Sequence, residues 1–371
     1  MIPVNEPRLG ARESEYVNEC LQTGWISSEG RFIEAFEQKW AEYCGMKYGV
    51  AVCNGTVALQ LAVACLDLQP GEEVILPTFT IISCAQAIIY NGGVPVLVDC
   101  DPRTWCMDVV QVEAKITPRT RAIMPVHIYG HPVDMQPLWE IAKRHNLVII
   151  EDAAEAHGAE YKGARCGSLG EISCFSFYAN KIVTTGEGGM VLTNSETIAS
   201  RVKSLRNLCF QKERRFYHTA LGFNFRMTNI QAALGVAQVE GIESAVQKKR
   251  WMGQEYTSRL SRFKQLSLPV EEAWAKNVYW MYGIVLDEAT GMSAADFAKR
   301  LAQAGVATRP FFLGMHEQPV LQAHGLFVEE RYPVAERIAR QGLYLPSGLS
   351  LTLAQLEEVC RAVGEQLNGR Q

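Results

Sequence analysis

Between Tyr48 and about Asn194 the chain repeats one rhythm, a short run rich in β-branched and other apolar residues followed by a longer stretch with helical spacing. The runs are YGVAVC, EVIL, VPVLV, RAIMPV and LVIIED, with helices predicted from Val57, Ile81 and Met135 between them. Such alternation builds an α/β domain. Each helical crossover carries the chain back to begin the next strand in the same direction, so the sheet is mostly parallel. Leu147 to Ile150 is apolar at consecutive positions, as burial on both faces requires. ISCFSF and GMVLTN extend the sheet. SETIASRVKSL reads as a helix capped by Ser195, with Ile198 where a full capping box would have an acid.

After Asn229 the pattern changes to one long helix, IQAALGVAQVEGIESAVQKKRWMGQEYTSRL, then a strand, YWMYGIVL, and helices near 293–304, 331–341 and 352–368. The expected organisation is a large domain over 1–240, whose N-terminal segment can pack on the second domain, and a smaller α+β domain over 241–371, with the boundary inside the long helix. A chain of 371 residues exceeds the roughly 250–300 at which single cores stop growing, which agrees with two lobes. No Gly/Ser-rich or Pro-rich linker separates them, so an extensive interface is expected. Ligands of open α/β sheets bind beyond the carboxyl ends of the strands, and residues just after strands are the first candidates for function.

Several function classes drop out. The formal charge of −4, with both signs interspersed, provides no basic stripe for a nucleic acid. The N-terminal MIPVNEPRLG lacks the basic start and apolar stretch of an export signal. The longest nearly apolar segment, Val57 to Leu68, is far short of the roughly 18 residues that span a bilayer. Eleven cysteines without a C-x-x-C pair read as buried thiols in a reducing compartment, so a soluble cytoplasmic protein is expected. Neither G-x-G-x-x-G nor G-x-x-x-x-G-K-[ST] occurs, which removes the usual case for hydride or phosphoryl transfer. No metal site is expected, because His127-Ile-Tyr-Gly-His131-Pro is interrupted by Gly and Pro and lacks the helical face of a two-histidine site.

Three stretches after strands carry candidate chemistry. At Cys53-Asn54-Gly55-Thr56 a strand passes into a helix, where amides, helix dipole and the Thr56 hydroxyl either hold a phosphate or serve the turn alone. Glu151-Asp152 ends a strong strand, and Asp152 either meets a ligand or caps the next segment. Ser176-Phe-Tyr-Ala-Asn-Lys181 leaves a further strand and runs into Thr184-Thr-Gly-Glu-Gly-Gly189. A lysine placed there, with glycines that let backbone approach closely, suits a buried amine of lowered pKa for Schiff-base chemistry. Spacing alone does not single it out among the lysines of the chain.

Taken in order, NGTVAL, IIEDAAEAHGA, SFYANKIVTTGEGG and GFNFRMTNIQAALG resemble the DegT-type sugar-nucleotide aminotransferases of pyridoxal phosphate fold type I, over nearly the whole chain. The resemblance implies a large domain with a mostly parallel mixed sheet flanked by helices, a small C-terminal domain, and pyridoxal 5′-phosphate as cofactor. Lys181 would carry the cofactor as a Schiff base, and Asp152 would hold its protonated ring nitrogen, so that electrons released at the substrate carbon spread into the ring. Gly55, Thr56 and Ser176 would bind the phosphate, and Glu155 would lie close to the ring. Asn224 would reach the phosphate from a neighbouring subunit, which implies a homodimer with shared active sites and leaves open whether dimers pair into tetramers. One position departs from the family: relatives stack an aromatic residue on the ring where this chain has Ile81, so either an aliphatic face packs there or Phe79 substitutes.

The segments WISSEGRFIEAFE, PVHIYGHPVDM, YKGARCGSLG and Arg309 to His316 resemble the branch of the family that converts GDP-4-keto-6-deoxymannose to GDP-perosamine, a sugar of lipopolysaccharide O-antigens. Arg309 and His316 are the substrate-binding candidates on that likeness. The implied reaction is ping-pong: glutamate leaves its amino group on the cofactor as pyridoxamine phosphate, which passes it to the keto sugar. A dTDP- or UDP-linked keto sugar is the alternative substrate. A ketosugar dehydratase is disfavoured because such relatives place His where Lys181 stands, and a non-catalytic homologue is disfavoured by the intact Lys181, Asp152, Thr56 and Ser176.

Overall fold

A computed structural model describes every residue except 212, 215 and 369–371. The main sheet has seven strands: β1 (Tyr48–Val52), β2 (Glu73–Pro77), β3 (Val94–Val98), β4 (Thr120–Ile123), β5 (Val148–Asp152), β6 (Ile172–Ser176) and β7 (Gly189–Thr193), in the order β1-β7-β6-β5-β4-β2-β3. The pairs from β6 to β3 are parallel, and β7 alone runs against its neighbours β1 and β6. The sheet is therefore mostly parallel, as the alternating pattern predicts, and mixed, as the family resemblance implies. Because β7 is reversed, its first residue, Gly189, lies beside Val52 and Ser176, the last residues of β1 and β6. The ends of β1, β5 and β6 and the start of β7 thus share one edge.

Helices α1 (Ala11–Thr23), α2 (Arg31–Cys44), α3 (Gly55–Ala64), α4 (Ser83–Tyr90), α5 (Met135–His145) and α6 (Glu196–Arg206) belong to this lobe, and all but α1 pack against its strands. The expected cap of α6 is present, with Ser195 Oγ accepting from the Ile198 amide. On α2, Trp40 is fully buried, with edge contacts to Phe175, Phe177 and His157 at ring-centroid distances of 4.9, 5.0 and 5.0 Å. That packing fixes the segment leading out of β6.

The single long helix expected after Asn229 is two, α7 (Asn229–Glu240) and α8 (Ile242–Leu260). Between them Gly241 takes φ −102° and ψ 3°, outside the helical range; its amide turns back to Gln238 O, and its own carbonyl accepts from Ala245 to open α8. Apolar spacing continues across the break, which hid it, and glycine is the residue that resists a helical conformation least costly to abandon.

Beyond α8 a second, antiparallel sheet contains β8 (Leu266–Ser267), β9 (Tyr282–Leu286), β10 (Arg309–Pro310) and β11 (Gly342–Leu345), in the order β8-β9-β11-β10. It shares a second core with α8, α9 (Ala294–Gln303) and α12 (Leu353–Asn368), in which Tyr256, Tyr282, Phe297, Leu345 and Val363 are buried. Ile2 joins that core and pairs with the chain at Gly305 and Ala307. Two helices, α10 (Pro319–Ala323) and α11 (Pro333–Gln341), complete the chain, and Asp99 accepts from the first amides of α11.

Glu151, beside the candidate Asp152 on β5, is fully buried and saturated: its carboxylate accepts from His127 Nε2 at 3.0 Å, Ser173 Oγ at 2.7 Å, the Leu169 amide at 2.8 Å and the Gly167 amide. His127 Nδ1 accepts from the Val133 amide, so Nε2 bears the donated proton. Burial opposes ionisation of Glu151, but these hydrogen bonds outweigh it and hold its carboxyl below the usual value. A depressed folded-state value stabilises above the unfolded pKa of about 4.3 and is lost as pH falls through the folded value. Glu151→Gln is expected to lower unfolding free energy by about 3 kcal/mol at neutral pH. In urea titrations over a pH series the gap to wild type should close below about pH 4, and a gap constant with pH would contradict an ionised Glu151.

Candidate active site

At the shared strand edge lies a cleft of about 430 Å³ lined by Gly55, Thr56, Ile81, Asp152, Glu155, Ser176 and Lys181 from the main lobe and by Trp280, Phe312 and Tyr344 from the second. Its first wall is the start of α3. Asn54 Oδ1 accepts from the Val57 amide at 3.0 Å, which caps the helix, while the first-turn amides of Gly55 and Thr56 have no carbonyl of their own helix to reach. Gly55 is packed so closely on β6 that an added Cβ would come within 2.6 Å of Ser176 Cβ. Thr56 Oγ1 lies 2.8 Å from Ser83 Oγ. Amides, hydroxyls and the positive end of a helix dipole converge here, a set suited to a phosphate.

The opposite wall is the end of β5. Asp152 is buried; Oδ1 accepts from the Ala154 amide at 3.0 Å and Oδ2 from the Cys84 thiol at 3.1 Å. Burial raises its proton affinity, with these donors and the charge of Lys181 opposing. Among the described residues no Lys, Arg or His lies within ion-pair distance of its carboxylate. A buried carboxylate left in that state has room for a cation, and a protonated ring nitrogen supplies one.

Lys181 Nζ stands 3.8 Å from Glu155 Oε1 and 3.7 Å from the centroid of the Trp280 ring, with its side chain about 10 % exposed. Burial lowers its pKa, and the charges of Glu155 and Asp152 resist. The carboxyl of Glu155 is pushed up by burial, against the pull of Lys181. Its second oxygen accepts from the Tyr129 amide at 2.7 Å. To aim that amide, Tyr129 takes φ 51° and ψ 15°, a left-handed conformation that a bulky aromatic residue rarely adopts.

The structure separates the remaining candidates. Ile81 is 47 % exposed and lines the cleft, whereas Phe79 is buried behind it against Phe311 and Phe312 at 5.7 and 6.0 Å. Of the two side chains, Ile81 is the one that lines the cleft. Asn224 does not line the cleft of its own chain; its Oδ1 accepts from Arg226 Nε at 2.9 Å. Arg309 is exposed in an adjoining cleft of about 520 Å³ that shares Tyr178, Asn180 and Tyr344 with the first. His316, expected as a substrate contact, is enclosed instead. Its Nδ1 lies 2.8 Å from Thr78 Oγ1 and its Nε2 3.3 Å from Glu336, so it fastens the chain before α10 to the end of β2.

Sequence reasoning missed Trp280, Phe312, Tyr344 and Cys84. Trp280 was visible only as part of the strand-like YWMYGIVL, and nothing local distinguishes Cys84 from the other buried thiols.

The chain matches the DegT/DnrJ/EryC1/StrS aminotransferase family over residues 7–364. It is 44 % identical over 367 residues to the GDP-perosamine synthase of Caulobacter vibrioides, covering 99 % of this chain and 98 % of that protein. It is 42 % identical over 364 residues to the GDP-perosamine synthase of Escherichia coli O157:H7, covering 98 % of each. Streptococcus pneumoniae Spr1654, solved in its PMP form, superposes with a TM-score of 0.91 at 25 % identity, covering 99 % of this chain and 98 % of that one.

Gly55→Ala places a methyl group 2.6 Å from Ser176 Cβ and must push α3 off β6. It is expected to weaken binding of pyridoxal phosphate about tenfold or more, the loss of roughly one charge-assisted hydrogen bond, in equilibrium dialysis, with the far-ultraviolet circular dichroism unchanged.

Proposed function

This chain belongs to the DegT/DnrJ/EryC1/StrS aminotransferase family, and on that premise we propose that it transfers an amino group from glutamate to GDP-4-keto-6-deoxymannose, giving GDP-perosamine, with pyridoxal phosphate as cofactor. The observation that carries the substrate is the likeness to GDP-perosamine synthases across the full length of both chains, second lobe included. The chemistry is supported by the cleft, which assembles an enclosed amine, two buried carboxylates and a helix start.

Bound in such a cleft, pyridoxal phosphate supplies a carbonyl carbon that takes up an amino group and a ring that accepts the electron pair released at the substrate carbon. The residues divide the remaining work. The Gly55 and Thr56 amides, with the Thr56 and Ser176 hydroxyls, hold the phosphate. Asp152, already short of a cation, keeps the ring nitrogen protonated. Ile81, which lines the cleft, would offer the ring an aliphatic side chain in place of aromatic stacking worth about 0.5–1.5 kcal/mol.

Lys181 would anchor the cofactor and, freed when the amino donor takes its place, would carry the proton. Its Nζ would accept the proton released at the α-carbon of glutamate and pass it to the cofactor carbon that takes up the amino group, and in the second half-reaction would carry a proton from that carbon to C4 of the sugar. A general base works best with a pKa near the working pH, and burial moves Lys181 in that direction. Glu155, 3.8 Å away, steadies the protonated amine between these transfers. Trp280, Phe312 and Tyr344 line the cleft from the second lobe and would keep water away from the reacting carbon.

The functional unit in this reading is a homodimer, in which Asn224 serves the cleft of the neighbouring subunit. Its support is that Asn224 stays outside its own cleft on a segment carrying the exposed Phe216 and Leu221. Eleven free cysteines, every one buried or half-buried, suit a cytoplasmic setting. No helix among the described residues is long and apolar enough to cross a membrane.

Lys181→Ala is expected to reduce turnover roughly ten-thousand-fold or more and to abolish the colour that borohydride reduces in the wild type; full activity would overturn the assignment. Offered glutamate with GDP-, dTDP- and UDP-linked 4-keto-6-deoxy sugars separately, the enzyme should show its highest kcat/KM with the GDP sugar. Preference for another nucleotide would overturn the substrate while leaving the amino transfer standing.

A further inference from the structure

Lys249, on α8, is 1 % exposed, and among the described residues no carboxylate lies within ion-pair distance of it. Its Nζ donates instead to two backbone carbonyls, Trp280 O at 2.7 Å and Ser347 O. A buried ammonium without a counter-charge is costly, and burial pushes its pKa down to about 7. What it gains is attachment: one side chain ties α8 to Trp280, two residues ahead of β9, and to the segment after β11. Ser347 reinforces the joint by accepting from the Tyr282 amide at 2.9 Å.

Trp280, the residue so gripped, is 3 % exposed, and its indole Nε1 donates to Asn180 O at 2.8 Å, one residue before Lys181. Two hydrogen bonds at opposite ends therefore set the ring, and its face lies over Lys181 Nζ. An aromatic face attracts a cation and favours the protonated form of an amine beneath it.

We propose that Trp280 is a positioning residue for Lys181, its ring face stabilising the protonated nitrogen, and that Lys249 holds that ring in place. The proposal rests on the reading of Lys181 as the residue that carries the cofactor. The other groups that face Lys181 are Glu155 and Asp152, which favour its protonated form, and His157, whose own pKa is lowered to about 3 by burial and which is therefore neutral. Among the described residues none of these side chains hydrogen-bonds Trp280, so replacing the indole leaves them in place.

The test is a pH titration of the visible absorbance of the holoenzyme, which reports protonation of the nitrogen that Lys181 contributes. Trp280→Leu should lower the apparent pKa by about one unit, the shift equivalent to a desolvated cation–π contact, and Trp280→Phe by less. Lys249→Met, with the indole intact, should shift it in the same direction, and the double variant Trp280→Leu/Lys249→Met should go no lower than Trp280→Leu alone. Where Lys249→Met fails to fold, Lys249→Gln, which keeps a donor for one carbonyl, carries the same expectation. A titrating wild type with an unchanged pKa in Trp280→Leu overturns the role of Trp280, and a Lys249 effect that adds in full to that of Trp280→Leu overturns the link between them. A wild-type absorbance that survives Lys181→Ala instead overturns the reading of Lys181, a result distinct from either.

Discussion

One enclosed amine facing two enclosed carboxylates is the constraint on which the rest of the structure turns. Lys181, Asp152 and Glu155 are all removed from water, and each loses solvation that its partners only partly return. A globular chain keeps such a cluster only where rigid elements over-determine it. Here those elements are the ends of β5 and β6, the first turn of α3 and the strained backbone of Tyr129, whose amide is spent on Glu155. The cluster is unsatisfied in a directed way, since Asp152 and the α3 start both offer more than the protein uses.

The sheet topology is what makes that arrangement cheap to build. Parallel strands deliver β5 and β6 with their carboxyl ends at one edge, and the reversed β7 brings the glycine-rich return from Lys181 to the same place. Glu151 points the other way from Asp152 along the strand and is saturated by the fold itself. Two adjacent acids thereby face opposite ways, one saturated as a structural acceptor and one turned to the cleft, because side chains alternate across a strand.

The second lobe closes the site from a distance in sequence. Trp280, Phe312 and Tyr344 come from the stretch before β9, from the chain after β10 and from β11, and they meet the cleft only because the antiparallel sheet packs against the first lobe. The buried Lys249 belongs to the same joint, where an ammonium replaces the apolar side chain that a helix face would ordinarily bury.

By itself the sequence determined the chain order of the strands of the main sheet, and it marked Gly55, Asp152, Ser176 and Lys181 as residues at or just past strand ends. These are local or periodic properties: strand runs and caps are written in neighbouring residues, and a parallel sheet then gathers strand ends at one edge. Tertiary structure alone decided which candidates meet. Apolar periodicity runs unbroken through Gly241 while the helix does not. His316 carries the same side chain whether it faces a substrate or Thr78, and only packing turned it inward. Asn224 is withheld from its own cleft, and Trp280 is brought over Lys181 from about a hundred residues away. Contacts of that separation depend on how two cores dock, and no local pattern of residue types encodes the docking.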